Sequence, residues 1–305
     1  MIKLTNKITL KKERLVLTLL AVPFVIFIFA FSYVPLFGWI LAFINYKPGL
    51  NLWDCDFKGL YYFKMIFQDW YKMSSVLKNT LAMSFLGLLC SPLPAIFAIF
   101  LSELKSVRFK KLVQTITTIP NFVSWVIIYA LSYALFSSEG VVNHVLLNFG
   151  IIEKATNVLG NQKAVWIFQT ALSLWKSVGW NAIIYFAAIA GIDSELYDAA
   201  SVDGAGRLHR ILHITIPGIS ATFFVLLLLQ ISNLLSVGMD QYLAFYNSMV
   251  ADKITVLDLY VYRLGLVTQD YSYATAVGIF KSVISIILLF SANGLSKKLR
   301  GESLV

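Results

Sequence analysis

Charged residues are scarce in this sequence. Only 13% of its 305 residues are Asp, Glu, Lys or Arg, whereas 58% are hydrophobic, and a soluble domain carries roughly 25% charged residues. The mean hydropathy is +0.75. A water-soluble fold would have to bury nearly the whole chain, because too little polar surface is available to cover it. The composition therefore predicts an all-α integral membrane protein.

Cysteine is also rare. The chain has two, with Cys55 in a loop and Cys90 in an apolar run, so we expect no disulfide between them. His209 and His213 lie four residues apart on a predicted helix. However, the glutamate of the H-E-x-x-H zinc motif is absent, and Arg210 would repel a cation. We therefore predict no metal site.

Six segments are long and apolar enough to cross a membrane, which takes about 20 mainly apolar residues. They are residues 15–38, 80–102, 112–136, 164–190, 217–238 and 273–295. The first apolar run is too long for the core of a cleaved signal peptide, so we expect an uncleaved span. Prolines interrupt the first three segments and predict kinked or broken helices; they are Pro23, Pro35, Pro92, Pro94 and Pro120.

Two further absences exclude classes of enzyme. The six segments contain no Asp, Glu or His, although a membrane-embedded transferase needs such residues in its cavity. The chain also lacks the G-x-x-x-x-G-K-[ST] phosphate loop, so it cannot hydrolyse ATP by that route. The net charge of +9 comes from residues scattered at helix ends. It predicts contact with anionic membrane lipid and no nucleic-acid partner.

The distribution of basic residues predicts the orientation. Six spans place both termini on one side, together with the loops 103–111 and 191–216, and that side holds 14 Lys and Arg against 9 on the other. The richer side is cytoplasmic by the positive-inside rule. We therefore predict a cytoplasmic tail over 1–14, a transmembrane domain over 15–296 and a cytoplasmic tail over 297–305.

One cytoplasmic loop is unusual in composition. The stretch "ELYDAASVDGAGRLHRILHITIPG" runs from Glu195 to Gly218 and is small, charged and punctuated by glycine. Glu195 and Asp198 suit the N-terminus of a short helix. Gly204 can end that helix in a left-handed conformation, and a second helix is predicted from about Ala205. Pro217 then starts the next span. Small side chains on this hairpin let the surface of another protein come close.

Part of this loop, "DAASVDGAGRLHRILHITIP", resembles the EAA loop of importer-type ABC transporter permeases. That pattern reads E-A-A, three residues, G, nine residues and I-x-L-P. Ala199, Ala200, Gly204, Ile214 and Pro217 fall in register, while Asp198 replaces the usual Glu and Ile216 the usual Leu. The whole chain, including its late segment "TVLDLYVYRLGL…DYSYATAVGIFKSV", also resembles the carbohydrate permeases that handle oligosaccharides and polysaccharide fragments.

The resemblance implies a six-transmembrane-helix importer-type ABC permease fold in a bacterial plasma membrane. It implies that residues 194–217 form a coupling helix seated in a cytoplasmic ATPase dimer. ATP and Mg would belong to that partner, and this chain would hold no cofactor. A second related permease would complete a heterodimer, and an extracellular lipoprotein would deliver the oligosaccharide. The residues expected to couple to the ATPase are Glu195, Asp198, Ala199, Ala200, Asp203, Gly204, Ala205, Arg207 and Pro217.

Polar residues in the late spans are candidates for the substrate path, because such residues usually face a cavity or another helix. Gln169, Ser173, Lys176 and Trp180 share one face of the fourth span, with Ser177 and Asn181 beside it. Amides, hydroxyls and indoles suit a neutral sugar, and lysines could add preference for acidic groups. The predicted path comprises Lys176, Ser177, Trp180, Asn181, Gln230, Asn233 and Lys281.

Alternatives remain open at this point. The polar residues could instead bond helix to helix, and Lys281 could reach the membrane interface. Importers of many solutes share the loop motif, so the solute could be a peptide or another non-sugar molecule. A membrane-embedded transferase is the alternative from another class.

Overall fold

A computed structural model of the chain describes residues 2–300, with side chains described for 15–294 and for Lys297. This part of the chain is almost entirely helical. Between residues 2 and 300 there is no β-strand, and one isolated antiparallel bridge joins Ile44 and Phe57. Met1 of the predicted N-terminal tail and residues 301–305 of the predicted C-terminal tail lie outside the described residues. The side of the membrane that the tails face stays a prediction.

Fifteen α-helices follow one another in the described chain. They are α1 (Ile2–Ile28), α2 (Tyr61–Gln68), α3 (Trp70–Leu89), α4 (Pro92–Ser102), α5 (Val107–Thr118), α6 (Trp125–Phe136), α7 (Val141–Asn148), α8 (Val165–Ala190), α9 (Ser194–Val202), α10 (Arg207–Arg210), α11 (Ile216–Ser232), α12 (Asp240–Ala244), α13 (Ala251–Ile254), α14 (Leu257–Tyr262) and α15 (Tyr271–Arg300).

Five helical segments among the described residues are long and apolar enough to cross a membrane. They are Leu15–Phe43, Trp70–Ser102, Trp125–Asn148, Arg207–Ser232 and Tyr271–Gly294. The predicted fourth span is present as α8, which has 26 residues and sufficient length. Its polar residues, including Lys176 and Asn181, lower its mean hydropathy below that of the other five. The chain is therefore a multi-pass membrane protein.

At Pro23 the predicted break is absent, because α1 continues through it to Ile28, whereas the later proline interruptions coincide with irregularities. Pro35 follows a π-helical turn at Phe29–Tyr33 and lies in a 3₁₀ stretch. Helix α3 ends before Pro92, which begins α4. At Pro120 a 3₁₀ turn ends the run of α5, and the chain is extended at Val123 and Ser124 before α6. The predicted third span, 112–136, is therefore two helices. Proline causes such breaks because it lacks an N–H and its ring meets the preceding turn.

The described chain divides into two compact units. One contains the residues up to Gln68 and Arg263–Phe280. Within it, the Ser272 hydroxyl donates to the Ile44 carbonyl at 2.7 Å and accepts from the Tyr46 N–H at 3.0 Å. The Tyr62 hydroxyl donates to the Asn45 side chain at 3.0 Å. These bonds satisfy the extended backbone that follows the first span.

The other unit contains Asp69–Tyr262 and the chain from Lys281 onward. Helix α4 packs closely along α8, where Ala98 and Ala182 are completely buried. Small side chains let two helix backbones approach in this way. A second core surrounds α12–α14, where Val256, Leu259 and Tyr260 are buried. Helix α14 (Leu257–Tyr262) is therefore largely internal to this unit.

Candidate functional site

The loop between α8 and α11 folds as the predicted helical hairpin. Its first helix, α9, is capped by Asp193, whose carboxylate accepts from the Glu195 N–H at 3.0 Å. Glu195 lies in the first turn, where a negative side chain interacts favourably with the positive end of the helix dipole. Asp198 is exposed one turn later.

A tight turn at Gly204 ends α9. Gly204 has φ of +75°, the Ala205 N–H donates to the Ala200 carbonyl at 2.8 Å, and the Gly204 N–H donates to the Ser201 carbonyl at 3.2 Å. This pair of bonds is the Schellman arrangement. A Cβ built at Gly204 would meet nothing within 4 Å. Glycine is therefore favoured here by backbone conformation and not by lack of space.

The second helix of the hairpin begins at Arg207, two residues later than predicted. It is joined to α9 by side chains. The Arg210 guanidinium donates to the Ser201 hydroxyl at 2.9 Å, and the hydroxyls of Tyr197 and Thr215 lie 2.9 Å apart. The two arms are thus held together by hydrogen bonds as well as by the turn.

The second arm continues into the fifth span without an interruption. Helix α10 passes through a π-helical turn at Ile211–Thr215 into α11, with Pro217 in the first turn of α11. Pro217 has no N–H to donate to the preceding turn, and its ring crowds that turn. The wider π-helical turn just before Pro217 makes room for the ring. The whole helical segment Arg207–Ser232 is 26 residues long. A movement of the hairpin can therefore pass directly into the span.

The structure brings the nine predicted coupling residues together on this hairpin. Ala200 and Ala205 are half-buried, and the others are exposed: Glu195, Asp198, Ala199, Asp203, Gly204, Arg207 and Pro217. A depression of about 450 Å³ lies beside the turn, lined by Ala200, Asp203, Gly204, Ala205, Gly206, His209, Arg210, His213 and Ile214. The sequence reasoning had not singled out this depression.

The two histidines of the hairpin interact with each other. Their rings stack with centroids 4.0 Å apart, and His213 Nδ1 lies 3.0 Å from the His209 carbonyl oxygen. Among the residues that the structure describes, no group of three or more His, Cys, Asp or Glu side chains is arranged to hold a metal ion.

A second feature is a cavity of about 360 Å³ in the unit Asp69–Tyr262. Its walls come from α3, α4, α8, α11 and α12. Three residues of the predicted path line it: Ser177, Asn181 and Gln230. The other polar groups of the wall are Ser91, Thr170, Ser173, Tyr185 and Tyr242, and Cys90 contributes a thiol.

Several of these polar groups point at the cavity with bonding capacity to spare. Within residues 15–294, no hydrogen bond engages the side chains of Ser173, Asn181 or Gln230. The hydroxyls of Thr170 and Ser177 each donate to the carbonyl four residues earlier, at 2.8 Å, and can still accept. Gly87 faces Gln230, since a Cβ at Gly87 would lie 3.4 Å from the amide nitrogen. The cavity can therefore bond a polar ligand.

Lys176 of the predicted path points away from this cavity. Its ammonium group donates to the carbonyls of Pro120, Asn121 and Val123, at 3.2, 2.7 and 2.6 Å. It also lies 5.5 Å from the centre of the Trp125 ring. These carbonyls belong to the broken end of the third predicted span, so Lys176 caps that break.

Trp180, Asn233 and Lys281 also lie outside the cavity wall. The Trp180 ring packs edge-to-face on Phe122 at 5.6 Å. The Asn233 amide donates to the Leu229 carbonyl at 2.9 Å at the end of α11. Lys281 forms an ion pair with Asp258, whose other oxygen accepts from the Gly238 N–H at 3.0 Å. Gln169, on the predicted face, is buried and bonded to Gln241 at 2.8 Å.

The face of α8 that lines the cavity shares Ser173 with the predicted face and otherwise lies beside it. It carries Thr170, Ser173, Ser177, Asn181 and Ile184, at the same spacing of three or four residues as the predicted face. The helical periodicity gave the correct spacing of polar residues on α8, but it could not determine which stripe of that helix faces the cavity. The sequence analysis did not name Thr170, Ser91 or Gly87 as lining residues. For Thr170, the stripe of hydroxyl and amide side chains on α8 was the available signal.

Comparison with protein families supports a transport role. Residues 91–301 match the family described as the inner membrane component of binding-protein-dependent transport systems. Protein LplB of Bacillus subtilis (strain 168) is 37% identical over 94% of this chain and 90% of its own length. The polygalacturonan/rhamnogalacturonan transport system permease protein YteP of the same organism is 38% identical over 94% of this chain and 89% of its own length.

Solved structures agree in fold. A chain from the crystal structure of a bacterial ABC transporter involved in the import of the acidic polysaccharide alginate superposes with a TM-score of 0.85. It is 33% identical and the match covers 95% of this chain and 97% of that one. A second structure of the bacterial alginate ABC transporter, in complex with a pentasaccharide-bound periplasmic protein, gives a TM-score of 0.86 at 32% identity. That match covers 96% and 98% of the two chains.

Proposed function

Since this chain belongs to the family of inner membrane components of binding-protein-dependent transport systems, we propose that it is the permease subunit of an ATP-driven oligosaccharide importer. The observation that carries the coupling part of this proposal is the hairpin at 194–217. Its second arm is continuous with the fifth span. Membership of this family removes the transferase alternative.

The movement that ATP binding drives in the ATPase reaches this chain at the exposed tip of the hairpin. A separate cytoplasmic ATPase dimer holds the loop, and ATP with Mg is bound by that dimer. Glu195, Asp198, Asp203 and Arg207 offer charges of both signs on the exposed surface, and Ala199 with Gly204 allows close approach. When the ATPase closes, the hairpin is displaced, and the segment Arg207–Ser232 carries the displacement into the membrane.

The solute is proposed to be an oligosaccharide delivered by an extracellular binding lipoprotein. YteP is a permease for polygalacturonan and rhamnogalacturonan, and the solved neighbour imports alginate. The cavity wall supplies hydroxyl and amide groups, including Ser177, Asn181 and Gln230, which exchange hydrogen bonds with sugar hydroxyls. A second related permease closes the other side of the path, and both termini face the cytoplasm of a bacterial cell.

Reconstitution tests the proposal. The chain is purified from the native membrane with its associated subunits and placed in proteoliposomes with the binding protein. We expect an ATPase subunit and a second permease to co-purify, and oligosaccharide-loaded binding protein to raise ATP hydrolysis. A complex that contains no ATPase, or hydrolysis that responds to a peptide and to no sugar, would contradict the proposal.

A further inference from the structure

Among the residues that the structure describes, the cavity wall carries no charged side chain. Its lining consists of apolar side chains, hydroxyls, amides and the thiol of Cys90, and no Asp, Glu, Lys, Arg or His is among them. Burial raises the pKa of Tyr242, and the nearby Asp258 carboxylate raises it further, so this tyrosine stays neutral.

The two lysines of the predicted substrate path are engaged elsewhere. An ammonium group has three hydrogens to donate, and Lys176 uses three carbonyls as acceptors. Lys281 is neutralised by Asp258, and their side chains are only 20% and 17% exposed. Turning either lysine into the cavity would leave the helix-end carbonyls or a buried carboxylate without a partner, which is costly.

An uncharged wall treats hydroxyls and carboxylates differently. A sugar hydroxyl can both donate to and accept from Ser, Thr, Asn and Gln side chains. A carboxylate that leaves water for this wall meets amide and hydroxyl dipoles but no cation, so its desolvation is poorly compensated. Affinity at this wall should therefore come from hydroxyl groups.

We propose that this chain recognises its sugar through hydroxyl groups alone, at a wall centred on Ser177, Asn181 and Gln230, and contributes no selectivity for acidic sugars. The inference rests on the proposed import of oligosaccharides. The alginate importer, for example, transports an acidic polysaccharide. If this transporter also prefers an acidic sugar, the cation that binds the carboxylate is supplied by another subunit.

The test uses the assembled transporter and one pair of substrates. The pair is a uronate-containing oligosaccharide and the same oligosaccharide with its carboxyl groups reduced to primary alcohols. The measured quantity is the ratio of kcat/KM for stimulated ATP hydrolysis with the two substrates. This ratio does not depend on the amount of folded complex in a preparation, so variants of different stability can be compared.

Three variants give the expected pattern. Lys176→Met should leave the ratio within about twofold of the unmodified complex, because Lys176 does not face the sugar. Gln230→Leu should raise KM for both substrates by the same factor, roughly tenfold if one hydrogen bond worth about 1.4 kcal/mol is lost. Gln230→Lys places a cation in the wall and should move the ratio toward the uronate.

A change of more than about fivefold in the ratio on Lys176→Met would overturn the inference, since it would place that cation beside the sugar. So would a Gln230→Leu variant that weakens only the uronate. If neither substrate stimulates the unmodified complex while another solute does, the proposed import of oligosaccharides itself fails, and that result is distinct from the other two.

Discussion

Gly204 determines the shape of the hairpin at 194–217 through its backbone. At φ of +75° a residue with a Cβ is disfavoured by about 1–2 kcal/mol, and Asn tolerates the region better than β-branched residues do. We therefore predict that Gly204→Val reduces sugar-stimulated ATP hydrolysis at least fivefold, while Gly204→Asn retains most of it. Membrane insertion, followed by fractionation, should be normal for both.

Gly206 provides the matched control for this change. Its surroundings are equally open, with nothing within 4 Å of a built Cβ, but its φ is −68°, which any residue adopts. Gly206→Ala should therefore couple normally. Equal effects of Val and Asn at Gly204 would show that side-chain size, rather than the turn, matters at this position.

Lys176 illustrates how a charge is accommodated in an apolar helix. The helix breaks at Val123, and the ammonium group donates to three carbonyls there, of which only that of Pro120 also accepts from the Val123 N–H. Lys176→Met should therefore lower the midpoint of thermal unfolding in detergent, by roughly 5 °C for a loss of about 2 kcal/mol. Lys176→Arg keeps the cation and is the comparison. An unchanged midpoint in the Met variant would remove this capping role.

At the scale of elements, the contact between α5 and α8 depends on one glycine. A Cβ at Gly179 would lie 2.2 Å from the Thr117 carbonyl oxygen and 2.4 Å from its carbonyl carbon. Because these are backbone atoms, a helix must move to make room. We predict that Gly179→Ala sharply reduces the yield of folded protein, measured by size-exclusion chromatography.

A second helical glycine shows whether the effect is local. Gly294, near the end of the last apolar segment, has nothing within 4 Å of a built Cβ. Alanine has the higher helix propensity, so Gly294→Ala should leave the yield unchanged or raise it. Similar losses for both variants would mean that the close approach at Gly179 does not limit folding.

The segment Arg207–Ser232 is the element that links the hairpin to the cavity. One end carries Arg207 at the exposed surface, and near the other end Gln230 lines the cavity wall. A continuous helix transmits displacement along its axis with little loss, because its hydrogen bonds resist extension. The π turn before Pro217 is the point on this element where the regular ladder of backbone hydrogen bonds changes.

At the scale of the molecule, the apolar segments keep most of their surface outward. Within the described chain, between 0 and 33% of an 18-residue apolar window in each candidate span is buried. Lipid can cover apolar side chains, but the polar cavity wall requires protein or water opposite it. This asymmetry fits one subunit of a larger assembly, as proposed above.

Thiol labelling tests the proposed orientation. Cys55 is a free, half-buried thiol between the first two predicted spans, on the side opposite to the predicted cytoplasmic one. Val202 in the hairpin is 89% exposed. In a Cys90→Ser background, a membrane-impermeant maleimide should label Cys55 on intact cells. The variant Val202→Cys, made without Cys55, should react only after permeabilisation. The opposite pattern would reverse the assigned sides.

Features that depend on local chemistry could be predicted from the amino-acid sequence. Scarcity of charge predicted a helical membrane protein, prolines marked the irregular positions, and the loop motif indicated both the family and the helical hairpin. These succeed because insertion in lipid, helix breaking and glycine turns depend on the residues of one short segment.

The choice of polar residues that face the cavity depends on packing between distant parts of the chain. Lys176 and Ser177 are neighbours in sequence, yet one caps a broken helix and the other lines the wall. The difference is about 100° of rotation on α8, which follows from the helical repeat, and the rotation is fixed by contacts with distant residues such as Thr117 at Gly179. Likewise the partner of Lys281 is Asp258, 23 residues away. Long-range packing of this kind leaves no local signal in the chain.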